Sequence, residues 1–293
     1  MNAMIPKPAA TKMKRSMHWP SPSVRRVVVG IGLDRGSSHA LVWADTIARA
    51  MDAELCVVHI VPAIGSVRTL VHEAPAEIAG AAPIARACMG SVRRWSETTL
   101  GHALAPGAVA IGRGPVARAL HEAVDELDPE VLVLGTGSLA RTFVRRTRRP
   151  LLVARPMSGT ARILAFTDFS DRRLPVLRRA ARLGRRMGAE VTFAGYRGDP
   201  DLDPQENPRL TLLRSLACEY HQQPIEVLSS NQELSTIAAL AAVQLHAPSL
   251  IAVPTHPWRR TKAVARGGIG CRIAAFASSS VLVVPIESGG EAA

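Results

Sequence analysis

The apolar runs of this chain are the length of β-strands and do not alternate with polar residues. In the first half they are RVVVGIGL (Arg26 to Leu33), LCVVHIV (Leu55 to Val61), VLVL (Val131 to Leu134) and LLVA (Leu151 to Ala154). In the second they are ILAF (Ile163 to Phe166), VTFA (Val191 to Ala194), LIAV (Leu250 to Val253) and VLVV (Val281 to Val284). A strand without a polar face must be covered on both sides, which implies a parallel sheet between layers of helix. The intervening segments supply the helices: His39 to Met51, Pro115 to Leu127, Leu174 to Met187, Pro208 to Tyr220 and Glu233 to Leu245. A looser helical stretch from Pro75 to Leu104 is broken by Gly80 and Gly90, and Ala108 to Ile111 and Ile225 to Leu228 are weaker strands.

The order of elements occurs twice. Asp34 and Asp168, each just after a first strand, are 134 positions apart, and the last strands, starting at Leu151 and Val281, are 130 apart. Such self-similarity predicts an internal duplication: a unit over 25–155, a second over 156–286, and tails at 1–24 and 287–293, the first of them flexible. Only RPMSGTAR, Arg155 to Arg162, joins the units, so they are expected to pack as an internal pseudo-dimer.

Composition narrows the class. No apolar stretch approaches the roughly 18 residues that span a bilayer, so no membrane segment is expected. Cys56, Cys88, Cys218 and Cys271 form no CxxC pair, which points to a reducing compartment. The opening MNAMIPKPAATKMKRSMHWPSPS lacks the continuous apolar core of a secretory signal, and the expected location is cytoplasmic. The net charge of +12 favours polyanionic partners without choosing among them.

The second start, ILAFTDFSDRRLPVLRRAARLGRRMGAEVTF, and the two ends, GSLARTFVRRTRRPLLVARP and GGIGCRIAAFASSSVLVVP, resemble the universal stress protein family in tandem. The resemblance implies an α/β fold of two flavodoxin-like (adenine nucleotide alpha hydrolase-like) domains, each a five-stranded parallel sheet with helices on both faces. It implies contact through the closing strands and a stress-response role. Many members hold ATP between an Asp after the first strand and a Gly-x2-Gly-x9-Gly-Ser/Thr loop after the fourth. The matching candidates are Asp34, Gly135, Gly137 and Ser138 in the first unit, and Asp168, Gly267, Gly268 and Gly270 in the second.

Both copies depart from that loop. In the first, only Thr136 separates Gly135 from Gly137-Ser138, and the turn after Asp34 is about two residues shorter than its counterpart. In the second the spacing is complete, but Pro254 and Pro257 stand where glycines are needed. Proline has no N–H to donate and a fixed φ, so it cannot cradle phosphate. Weak or absent binding of ATP or another adenine nucleotide is therefore expected, the second unit being the better candidate because Arg259, Arg260, Lys262 and Arg266 put positive charge into its loop. The plainer role for Asp34 and Asp168 is to cap the first helix of each unit.

The arginines divide into Arg141, Arg145, Arg146, Arg148 and Arg149, and the series Arg172, Arg173, Arg178, Arg179, Arg182, Arg185 and Arg186. Arg178, Arg182 and Arg185 share a helical face, read as solvated or ion-paired ahead of nucleic-acid binding. His72, His121 and His256 fit no catalytic or metal pattern, and no HExxH, Gly-x-Ser-x-Gly or Walker lysine occurs. His59 reads as a satisfied core residue. The expected function is a binding or regulatory module without turnover, with a further homodimer and an unidentified protein as partners. The alternatives are slow nucleotide hydrolysis in the second unit and polyanion binding through the arginine faces.

Overall fold

The computed structural model describes residues 25–62, 81–146, 148–157, 161–167, 169, 171, 173–196, 208–220, 223–227, 243, 246–255 and 269–286. In the first unit the chain runs β1 (Arg26–Ile31), α1 (Arg35–Met51), β2 (Glu54–Val61), α2 (Ala81–Leu100), β3 (Val109–Arg113), α3 (Val116–Leu127), β4 (Val131–Gly135), α4 (Ser138–Val144) and β5 (Leu151–Ala154). The second follows with β6 (Arg162–Thr167), α5 (Pro175–Met187), β7 (Glu190–Tyr196), α6 (Pro208–Glu219), β8 (Gln223–Val227), β9 (Leu250–Thr255), α7 (Ile269–Phe276) and β10 (Ser280–Pro285). The predicted helix Glu233 to Leu245 falls, but for Val243, outside the described residues.

The ten described strands join one sheet in the order β3-β2-β1-β4-β5-β10-β9-β6-β7-β8, so each five-stranded unit has the spatial order third, second, first, fourth, fifth. Pairing within a unit is parallel, as the unbroken apolar runs require. The closing strands meet antiparallel, with Val281 opposite Val153, Leu282 opposite Leu152 and Val283 opposite Leu151. One core on the α1, α2, α5 and α6 side holds Trp43, Ile47, Leu177 and Phe193; the other, under α3, α4 and α7, holds Leu120, Phe143 and Ile273. Both cores cross the seam between the units, so neither unit keeps a private interior.

Polar contacts bridge the same seam. The Arg155 guanidinium donates across it to the carbonyls of Ala274 at 2.8 Å and Ser279 at 3.0 Å, while the Arg155 carbonyl accepts from Trp43 Nε1–H of its own unit at 3.0 Å. Arg179 reaches the Glu130 carbonyl at 3.1 Å. Among the described residues, no helix is long and apolar enough to cross a membrane.

Two predicted boundaries need correction. Helix α1 begins at Arg35, a full turn before His39, because Asp34 caps it. Helix α2 runs through Gly90 without a break and ends at Leu100, where Gly101 at φ 73° supplies the left-handed stop. A Cβ on exposed Gly90 would meet nothing, so that glycine costs the helix only its propensity, about 1 kcal/mol.

Candidate functional site

Where strand order reverses in such a sheet, the carboxyl ends of the neighbouring strands part and leave a crevice for ligands. The two crevices here lie between β1 and β4 and between β6 and β9. In the first, Asp34 sits three residues beyond β1 with extended backbone (φ −116°) and turns its carboxylate inward onto α1. Oδ1 accepts from Ser37 N–H at 2.7 Å and from the Ser37 hydroxyl at 2.8 Å, while Ser37 Oγ accepts from Gly32 N–H at 2.7 Å. These bonds hold the carboxyl below the ordinary 3.8. The candidate ligand residue is thus the N-cap of its own helix.

Gly36, which sequence reasoning passed over, lies against the end of β4. A Cβ on Gly135 would lie 2.6 Å from the Gly36 carbonyl oxygen, so the first turn of α1 rests backbone-to-backbone on the end of β4. The absence of a side chain at Gly135 is used up by this packing. Beyond it, Thr136 and Gly137 alone connect β4 to α4; Gly137 (φ 155°, ψ −172°) has a backbone conformation that is essentially reserved for glycine, and Ser138 opens a helix of only seven residues. The predicted first-unit candidates are therefore brought together, but as a packed corner.

The second crevice is built differently. Seven residues separate β6 from α5, against three between β1 and α1, so the turn is four residues longer rather than two. Helix α5 is capped at Leu174 (φ 48°) with Pro175 at its first position, which corrects the expectation that Asp168 caps it. Asp168 itself lies outside the described residues, as do Gly267, Gly268, Pro257 and the loop cations Arg259, Arg260, Lys262 and Arg266. Pairing of β6 with β9 stops at Ala252, two residues before Pro254, so the missing proline N–H leaves no gap in that ladder. Gly270 packs against β9: a Cβ there would stand 2.3 Å from the Pro254 carbonyl oxygen.

The arginine face of α5 is occupied. Arg178 donates to both Glu219 carboxylate oxygens at 3.0 and 3.3 Å, Arg185 lies 5.9 Å over the Tyr220 ring, and Arg186 reaches the Ala50 carbonyl at 3.4 Å. Arg172 is outside the described residues. His59 is half-buried with Nδ1 3.0 Å from the Ile31 carbonyl oxygen, and His121 stacks on Phe143 with ring centroids 4.0 Å apart. At the opposite, amino edge of the sheet a cavity of about 230 Å³ is lined by Arg26, Asp45, Glu54, Cys56 and His102. Burial pushes the Cys56 thiol up to about 12, so it has no thiolate to offer as a nucleophile. Among the described residues no group of His, Cys, Asp and Glu is placed to hold a metal.

Asp34→Ala is expected to cost about 1 kcal/mol through loss of the cap. Because the folded carboxyl titrates below the unfolded one, this contribution is complete above the unfolded pKa near ~4 and disappears as the pH falls through the folded value. Urea unfolding of wild type and D34A should therefore differ at neutral pH and converge in acid; a constant gap would contradict the cap.

No family model and no curated protein matches the chain. Solved structures do. A universal stress protein from Archaeoglobus fulgidus superposes with a TM-score of 0.63 at 13% identity, covering 89% of this chain and 96% of its own. A candidate universal stress protein from Pseudomonas aeruginosa gives 0.61 at 14% identity over 90% and 94% of the two chains. The cytoplasmic domain of a prokaryotic cation chloride cotransporter gives 0.50 at 14% identity over 92% and 97%. Over about 90% of its length, the chain has the fold of these universal stress protein structures.

Proposed function

We propose that the chain is a non-catalytic binding and regulatory module of the universal stress type, working in the cytoplasm in stress response with degenerate nucleotide sites. The contact between Gly36 and Gly135 carries this reading. Phosphate binding at such a corner needs backbone N–H groups facing open space at a switch point. In the first unit Gly135 is packed against the backbone of Gly36, and the connection between β4 and α4 is two residues long.

Native mass spectrometry of freshly purified protein tests it. The expected mass is that of the polypeptide alone, and ATP with magnesium should leave the melting temperature unchanged. A ligand at a hundred times its Kd would stabilise by about 2.7 kcal/mol, which such a melt resolves easily. One equivalent of co-purified adenine nucleotide would overturn the proposal.

A second reading, slow nucleotide hydrolysis in the second unit, is favoured by one observation. The connection from β9 to α7 keeps thirteen residues, a length that can surround a ligand. It predicts ATP-dependent stabilisation and phosphate release that Asp168→Ala abolishes.

A further inference from the structure

Residues 131–167 contain seven arginines and no Asp or Glu. Residues 234–286 contain four arginines, one lysine and again neither acid. These twelve cations equal the whole net charge of +12, so the rest of the chain is balanced. The fold sets the described parts of the two segments side by side: β5 pairs with β10, and α4 and α7, the helices before them, contact each other on one face of the seam.

Both helices sink their apolar sides, Phe143 and Val144 on α4 and Ile273 and Ala274 on α7, into the core. What remains outward carries Arg141, Arg145 and Arg272 beside Phe276. Arg141 and Arg145 are exposed one turn apart on α4. On α7, Arg272 and Phe276 have the same four-residue spacing and so share a face, and Phe276 is 75% exposed. Arg145 is the C-cap of α4, the helix that contacts α7. On the outer flank α3 presents Glu122, Asp125, Glu126 and Asp128; Arg149 pairs with Asp128 and Arg118 with Glu122. An anionic partner is thereby confined to the seam side.

We propose that the α4–α7 face binds single-stranded nucleic acid, with Arg141, Arg145 and Arg272 on backbone phosphates and Phe276 stacked on a base. Planar guanidinium forks match phosphate oxygens. An aromatic ring standing beside cations is how sequence-tolerant single-strand sites are made, whereas a duplex would hide its bases from Phe276. A bilayer requires an unspent apolar helix face, and α4 and α7 have buried theirs. A protein interface gathers several aromatic and apolar side chains at its core, and Phe276 is the exposed large apolar residue on this face. The inference goes beyond the module proposed above and does not depend on it: co-purified ATP would defeat that reading and leave this one standing.

The probe is a fluorescein-labelled oligothymidylate of about 20 nucleotides, enough to span such a site, with anisotropy followed across a potassium chloride series. Three phosphates neutralised on a single strand give a slope of log K against log salt near about −2. Arg141→Glu with Arg145→Glu should flatten it by about 1.4. Phe276→Ala should weaken binding about tenfold with the slope unchanged, and Arg182→Glu, on the opposite face, should change nothing. Thermal melts check folding, and Arg141→Gln with Arg145→Gln replaces the charge reversal if that protein does not fold. No binding at low salt, or a slope indifferent to both α4 pairs, overturns the proposal. Equal affinity for polyglutamate, a DNA duplex or anionic phospholipid vesicles, with Phe276→Ala silent, overturns it in favour of an unselective polyanion surface.

Discussion

Replacing Trp43 by alanine is expected to destabilise the protein by about 3–5 kcal/mol, the range for deleting a buried large aromatic. Trp43 is 1% exposed, and its indole N–H is given to the Arg155 carbonyl at the end of β5. The variant leaves a cavity beneath α1 and an acceptor without its donor exactly where the first unit meets the second. Both units share the core that contains Trp43, so denaturant unfolding should remain one transition displaced as a whole. Trp43→Phe keeps most of the packing and loses the hydrogen bond; it should cost about 1–2 kcal/mol. A loss under about 1 kcal/mol for the alanine variant, or two separated transitions in wild type, would show that the units are energetically independent.

Gly135→Ala and Gly270→Ala should each cost about 1–3 kcal/mol or more, because the added methyl meets main chain, which cannot rotate aside. The obstacles are the Gly36 carbonyl oxygen at 2.6 Å and the Pro254 carbonyl oxygen at 2.3 Å. Gly90→Ala supplies the contrast: its Cβ enters open space within α2 and should stabilise by up to about 1 kcal/mol. Melting each variant with and without ATP separates two roles for the first pair. Packing glycines lose stability with no nucleotide dependence, whereas phosphate-cradling glycines would keep the fold and lose ligand stabilisation.

The strands were readable because burial on both faces leaves a run such as Val131 to Leu134 no polar position and therefore no competing interpretation. The start of α1 is hidden in the sequence because Asp34-Arg35-Gly36-Ser37 has the composition of a turn, and only the carboxylate bonds to Ser37 show where the helix is capped. Propensity acts locally and marks Gly90 as a break, while the packing of α2 against α1 decides whether the helix continues. The fate of Gly135 was illegible for a sharper reason: close approach of a phosphate and close approach of another backbone both demand a residue without Cβ. A glycine within the first turn of α1 was the available signal, since it weakens a helix unless something must lie against it.

By joining β5 to β10, the chain has spent on itself the edge through which two separate copies would otherwise add to one another. Its two halves stay partnered at any dilution, because a covalent tether holds their effective concentration fixed. Among the described residues, β3 and β8 end the sheet. Any larger assembly by strand addition must grow from those outer margins, and each half is free to acquire a task that its twin does not share.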